Sequence, residues 1–317
     1  MIWRSRSWAL LLLAVLLDVG VGWAGRAEAD EPIFGFVYTT DLLPKGKSEV
    51  EQWLTLRTKR PWGDFNVLEG KTEYSFGVTD AFQLSAYLNY AWTDVFKNSV
   101  DRQTQPPESF AEVEVDPDRR LDKAKFVGVS VEGIWRLLSP YTDPFGLAIL
   151  LEPTIWDNFV EFESRLILQK NFFDDRLVLG LNATLIQELR ELPGDKSAEP
   201  GTVEATRHWD KETDLNWSVG ASYRFVSNWS AGLEFTNERE FSELIFWQGK
   251  YATNSAYYVG PTVHYGGKNM FFTLTVLDQL PLGQDFANPS PGFIRGGRNY
   301  ADDFERYRVR LKFGYYF

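Results

Sequence analysis

The sequence predicts an all-β protein: a single antiparallel transmembrane β-barrel of about 12 strands, with long outer loops and short periplasmic turns. Three observations lead there. The chain ends in a clean alternation. Tyr307, Val309, Leu311, Phe313, Tyr315 and Phe317 share one face of a strand, while Arg306, Arg308, Arg310, Lys312, Gly314 and Tyr316 share the other. Similar alternation recurs down the chain, yet after residue 29 no apolar run approaches the ~20 residues that a membrane helix needs. Barrel strands average out to polar, so that lack does not argue against a membrane protein. Finally, short and long connections alternate between the strands.

Composition narrows the classes. Aromatic residues make up 16% of the chain, as the two interfacial girdles of a barrel require. The net charge of −11 leaves no basic surface for nucleic acid. An acidic surface suits outer-membrane lipid and lipopolysaccharide bridged by divalent cations. With no cysteine, disulfides, thiolate sites and lipid attachment at cysteine are excluded.

Residues 1–29 read as a signal peptide: Arg4 and Arg6, an apolar run from Ala9 to Leu17, then Ala27-Glu28-Ala29 as a small-x-small cleavage site. Residues 30–46 are expected to form a periplasmic segment, with Pro44 and Gly46 marking a turn, and residues 47–317 the barrel. The run Tyr38-Thr-Thr-Asp-Leu-Leu-Pro-Lys-Gly-Lys-Ser-Glu-Val-Glu-Gln-Trp53 is similar to the opening of an uncharacterised family of bacterial outer-membrane β-barrels. The terminal aromatics Phe313, Tyr315 and Phe317 resemble the signal read by the barrel-assembly machinery. These resemblances imply a fold and an outer-membrane location; they bring no reaction and no cofactor.

The first strand, 47–59, points Val50, Leu54 and Leu56 to lipid and Glu49, Glu51, Trp53, Thr55 and Arg57 inward. The second, 65–78, sends Glu69, Lys71, Glu73 and Ser75 inward. The third alternates Phe82, Leu84, Ala86, Leu88, Tyr90 and Trp92 with Gln83, Ser85, Tyr87, Asn89, Ala91 and Thr93. Residues 97–122 lose the pattern and form a long outer loop. Strand 123–138 carries Val127, Val129, Val131, Trp135 and Leu137 outward, with Ser130, Glu132 and Arg136 inward. Strand 145–156 is more uniformly apolar, with Glu152 as its inward charge. Strand 159–170 turns Glu161, Glu163 and Arg165 inward, and strand seven is 176–190. After a second polar loop come strands 214–226, 229–236, 255–265, 270–280 and 307–317. An even number of strands puts both ends on the periplasmic side.

Candidate chemistry is sparse. His208 lies in an outer loop two residues before Asp210, and His264 lies inward near a periplasmic turn without the serine that a barrel lipid hydrolase places just after its histidine. One histidine without neighbouring ligands makes a poor metal site. The acidic run 112–118 matches a calcium loop in composition but lacks its spacing and turn glycine, so it reads as a solvated loop. The lumen charges are the best lead. They favour a passive channel or uptake barrel for a small-molecule solute. A non-conducting structural or surface-interaction barrel is the alternative, and an outer-membrane hydrolase the third reading; no enzyme site is assigned. Closure of the barrel should place Arg310 and Lys312 beside Glu49 and Glu51.

Overall fold

The computed structural model describes residues 32–194, 199–203, 205–244, 248–286, 293–295 and 298–317. The signal peptide expected at 1–29 lies outside the described residues.

Among the described residues, twelve long strands close a barrel. They are β1 (Ser48–Thr58), β2 (Asp64–Thr79), β3 (Phe82–Phe96), β4 (Leu121–Leu138), β5 (Gly146–Trp156), β6 (Phe159–Phe172), β7 (Leu177–Leu192), β8 (His208–Val226), β9 (Trp229–Phe241), β10 (Ala252–Gly266), β11 (Met270–Gln279) and β12 (Tyr307–Tyr316). Each pairs antiparallel with its neighbours, and β12 pairs with both β11 and β1, which leaves no free edge. Gln284–Asp285 adds a short pairing to β10, and Phe293–Arg295 forms a hairpin with Arg298–Tyr300 in the last outer connection.

Alternation sets the two faces. On β3, Leu84 and Leu88 are exposed on the outside, while Gln83, Ser85, Tyr87 and Thr93 are buried inside. On β12, Leu311, Phe313, Tyr315 and Phe317 face out, and Arg308 and Lys312 are buried. Outward aromatics gather at two heights. Trp217 and Phe225, both exposed on β8, lie eight residues apart, roughly 26 Å along a strand at ~3.3 Å per residue. On a strand tilted ~40° that is roughly 20 Å of height, which fits within the ~25 Å apolar band and its flanking girdles.

Several strands run further outward than the alternation predicts. β8 starts at His208 instead of 214, and β9 ends at Phe241 instead of 236. In these extensions both faces meet water or loop, so apolar alternation is not required there. Val127 is a correction to the expected outward set. The register slips between Asn89 and Tyr90 opposite Gly128, and this bulge turns Val127 toward the interior while Phe126 becomes exposed. At the turn after β1, Gly63 has φ +55°, and a Cβ there would stand 2.1 Å from the Phe96 carbonyl oxygen. Only glycine fits that turn.

The largest departure from expectation is residues 32–44, expected in the periplasm and found inside the barrel. They form a strap without regular secondary structure that runs along the inner wall from β11 to β3. Leu42 packs into a buried apolar cluster of Ile134, Ala148, Leu150 and Ile167, all on inward positions of β4, β5 and β6. This explains the uniformly apolar fifth strand: its inner face meets the strap, not water.

Candidate functional site: a strapped lumen

Every turn of the strap is tied to the wall. The Thr273 hydroxyl donates to the Pro32 carbonyl at 2.5 Å. Its single proton is thereby committed, so His264 Nδ1, 2.8 Å from the same oxygen, is the donor of that second bond. The buried Glu234 carboxylate on β9 accepts three backbone N–H groups, from Gly35 (2.8 Å), Phe36 (2.6 Å) and Val37 (3.0 Å), and a fourth bond from Thr275. Asn182 bonds both the N–H and the carbonyl of Tyr38, at 2.7 and 2.9 Å. Gln169 accepts from the Thr40 N–H and Gln83 from the Leu43 N–H, at 2.7 and 2.8 Å. Wall side chains thus replace the ladder that a segment without secondary structure lacks. Glycines make room: a Cβ at Gly180 would stand 2.8 Å from Val37 Cγ1, and one at Gly220 would stand 2.7 Å from the Phe34 ring.

The strap divides the lumen. Above it lies a cavity of about 360 Å³, reached by Phe36 from below and by Glu108, Ser109 and Phe304 of the outer connections from above. Below it lies a void of about 50 Å³ bordered by Tyr38, Asp41, Glu51 and Lys312. The two share no lining residue. Between them cations lie over aromatic rings: Arg165 4.2 Å from Tyr38, Arg310 4.0 Å from Phe36, Lys312 3.6 Å from Trp53 and Lys71 5.2 Å from Tyr87. Cation–π contacts of this kind are worth about 0.5–2 kcal/mol, more when desolvated. The first two join strap rings (Tyr38, Phe36) to wall cations, and the other two link wall cations to wall rings.

The sequence-predicted lumen charges separate into groups. Arg57, Glu69, Lys71, Glu161, Glu163, Arg165, Arg308 and Arg310 line the upper cavity. Glu49, Glu51, Glu73, Glu132 and Lys312 line the lower void. Glu152 is buried and holds Lys71 at 3.2 Å. Arg136 sits at the periplasmic rim and donates to the Thr40 and Asp80 carbonyls. Arg306 is a correction. It pairs at the outer rim with Asp278, which lies in the outward set of β11 with Leu274 and Val276, so it does not line the lumen.

The closure register corrects half of the expectation. Lys312 faces Trp53, Arg310 faces Thr55 and Arg308 faces Arg57, so neither cation is directly opposite Glu49 or Glu51; Lys312 still shares the lower void with both carboxylates, whereas Arg310 lies in the upper cavity. Arg310 is tied to Thr55 Oγ1 at 2.8 Å and to the Gly35 carbonyl at 3.1 Å. The like-charged Arg57/Arg308 pair is reconciled by a residue the sequence did not single out. Glu305, fully buried just before β12, pairs with Arg57 at 3.0 Å and also with Arg308, which in turn pairs with Glu238.

Burial alone would raise the Glu305 carboxyl, but the Arg308 and Arg57 guanidinia bring it down to about 2 from the usual 4.5. A depressed folded pKa stabilises the protein above the unfolded value near 4.3, and the contribution is lost as pH falls through about 2. Its size is on the order of 3 kcal/mol. Glu305→Gln should therefore be less stable than the parent in urea at pH 7, with the gap closing toward pH 2. Equal gaps at both pH values would refute this assignment.

Other sequence candidates are placed as follows. His208 Nδ1 lies 2.8 Å from the Thr206 carbonyl. In the acidic run 112–118, Glu112 pairs with Lys125 at 2.6 Å, and Asp116 accepts the Asp118 N–H. At the outer mouth Glu212, Asp214 and Glu240 bring carboxylate oxygens within 4.8 Å of one another. Phe313, Tyr315 and Phe317 are exposed on the outer face of β12.

The outer connections complete the upper cavity. The short 3₁₀ turn Glu108–Phe110 folds inward, where Arg190 donates to the Glu108 carbonyl at 2.8 Å and pairs with its carboxylate at 3.2 Å. Arg57 reaches the same carboxylate at 3.5 Å. Phe304 joins a buried cluster with Tyr258 and Leu277, against which strap Phe36 packs.

The family model described as "Family of unknown function (DUF6662)" matches residues 26–317. No curated protein matches the chain in sequence. Among solved structures, the barrel is similar to the COG4313 outer membrane channel from Pseudomonas putida F1, with a TM-score of 0.54 and 8% identity over 88% of this chain and 98% of that one. It is similar to the translocator domain of autotransporter NalP from Neisseria meningitidis, with a TM-score of 0.50 and 10% identity over 87% and 90%. The NanC porin aligns with a TM-score of 0.45 and 9% identity over 84% and 98%. At these identities the likeness shows the fold alone, an outer-membrane-type barrel.

Proposed function

We propose that this chain, which belongs to the DUF6662 family, is an outer-membrane channel for small polar solutes whose periplasmic side is closed by its own N-terminal strap. The observation that carries the reading is the pair of separate voids. A polar cavity of about 360 Å³ faces the outside and ends on a strap held by side-chain bonds, not by β-pairing. A solute enters between Glu108 and Phe304 and meets acidic and basic side chains on the way down. Passage to the periplasm requires the strap to leave its seat. The exposed aromatics Phe313, Tyr315 and Phe317 would serve as the signal for the barrel-assembly machinery, and lipid with lipopolysaccharide would surround the outer face.

The glycine-carved, fully bonded seat also favours the second reading, a barrel that never conducts and acts through its outer surface. Planar-bilayer recording of the purified full chain separates them. The channel reading expects rare openings and slow flux of small sugars into liposomes. A barrel silent in both assays, under every voltage and salt used, would leave the non-conducting reading.

A further inference from the structure

The upper cavity pairs most of its own charges, and those left over are sorted by wall. Among the described residues, every lining cation but Arg310 holds a carboxylate within 4.0 Å. Arg310 lies over the Phe36 ring and gives two of its five N–H donors to Thr55 and the Gly35 carbonyl. Every lining carboxylate is likewise paired except Glu161, Asp214 and Glu240. These three stand on β6, β8 and β9. In the closed ring β12 is three strands from β9 and six from β6, so the spare anions and the spare guanidinium lie on different walls.

The acidic wall is built against its own repulsion. Glu161 is directly opposite Glu188, Glu188 opposite Glu212, and Asp214 opposite Glu240. Like charges directly opposite one another destabilise a sheet. Among the described residues only Arg190 relieves this row, at Glu188. Asp214 and Glu240 bring carboxylate oxygens within 4.8 Å, and one Asp214 oxygen is buried without a hydrogen-bond partner. An ammonium, with three N–H donors, can bridge such a pair, while the remaining edge of Arg310 can take a carboxylate. Three strands at ~4.8 Å spacing put about 14 Å of wall between β9 and β12, too far for two charges on one α-carbon. A peptide of two or three residues spans ~7–11 Å and leaves the rest to the reach of the side chains. The cavity of about 360 Å³ has room for it.

We propose that the upper cavity binds short zwitterionic peptides, the ammonium end on the acidic wall at Asp214 and Glu240 and the carboxylate end on Arg310. This rests on the reading of the cavity as a solute chamber, but binding does not require passage. Binding by a barrel that stays silent in bilayers would sink the channel and leave the site; conductance without binding would sink the site alone.

The test is calorimetric titration of the full chain in detergent, with a chelator present, using trialanine, N-acetyl-trialanine and trialanine amide. Trialanine should bind one per chain, and each capped peptide roughly tenfold more weakly or worse, since each loses one charge-assisted contact. Asp214→Asn and Glu240→Gln should weaken trialanine by a similar factor and leave the acetylated peptide unchanged. Arg310→Gln should weaken trialanine and leave the amide unchanged. No binding of trialanine, or equal binding of all three peptides, would overturn the proposal. So would an amide that binds as tightly as trialanine, because the cavity would then take plain cations and Arg310 would have no part in recognition.

Discussion

Removing strap residues 32–43 should turn a barrel that opens rarely into one that conducts continuously. The strap contributes no strand to the wall, and the closed ring of twelve strands does not depend on it for pairing. What its loss removes is the packing of Phe34, Val37, Leu42 and Leu43, all buried. Each such side chain is worth about 1.5–3 kcal/mol of burial. The deleted barrel should therefore fold with a lower urea midpoint and carry an open path. Glu234→Ala is the point-mutant version. It strands three buried strap N–H groups, each unsatisfied donor costing about 1–3 kcal/mol. A loss of only about 3 kcal/mol shifts the closed-to-open ratio roughly a hundredfold. Recording both variants in planar bilayers checks the prediction. Conductance equal to that of the parent would mean that the strap does not limit passage.

The second large effect concerns closure of the barrel. Arg308→Gln should destabilise the protein by about 3–5 kcal/mol, because it leaves the buried carboxylate of Glu305 and the half-buried one of Glu238 short of their partner. The adjacent Arg57 still holds Glu305, so the variant should fold. Losing a guanidinium from the upper cavity should also shift ion selectivity toward cations. Arg310→Gln adds to that shift and removes the contacts to Phe36 and the Gly35 carbonyl. Urea titration and reversal potentials in a salt gradient measure the two consequences separately. Unchanged selectivity in the double variant would place the conduction path away from these residues.

Most of the wall was legible in the sequence because its rule is local. A strand of alternating side chains sorts itself between lipid and lumen, and short and long connections mark the two rims. The strap was not legible because it has no period of its own. Its partners, Asn182, Gln169 and Gln83, look like ordinary polar lumen residues until the chain that they bind is in place. A signal was nevertheless present. Ile134, Ala148, Leu150 and Ile167 are apolar on inward positions, which a water-filled lumen does not favour, and Gly180 and Gly220 leave hollows further round the wall, at Val37 and Phe34. Such a set implies an internal occupant. Glu305 was missed for a different reason. It lies just outside the last strand, and only the observed register brings Arg57 and Arg308 face to face across it. Arg306 shows the converse: parity assigned it inward, but at a strand's end the long side chain turns to the nearest carboxylate, Asp278.

The most direct test of a movable strap is a reversible lock. The chain has no cysteine, so a Val37→Cys, Gly180→Cys pair introduces the sole thiols. Val37 Cγ1 stands 2.8 Å from where a Gly180 Cβ would lie, close to the geometry of a disulfide across strap and wall. Single-channel recording of the oxidised protein should show no openings, and adding reductant to the same bilayer should restore them. Equal activity before and after reduction, with the disulfide verified by mass, would show that solutes pass without any movement of the strap.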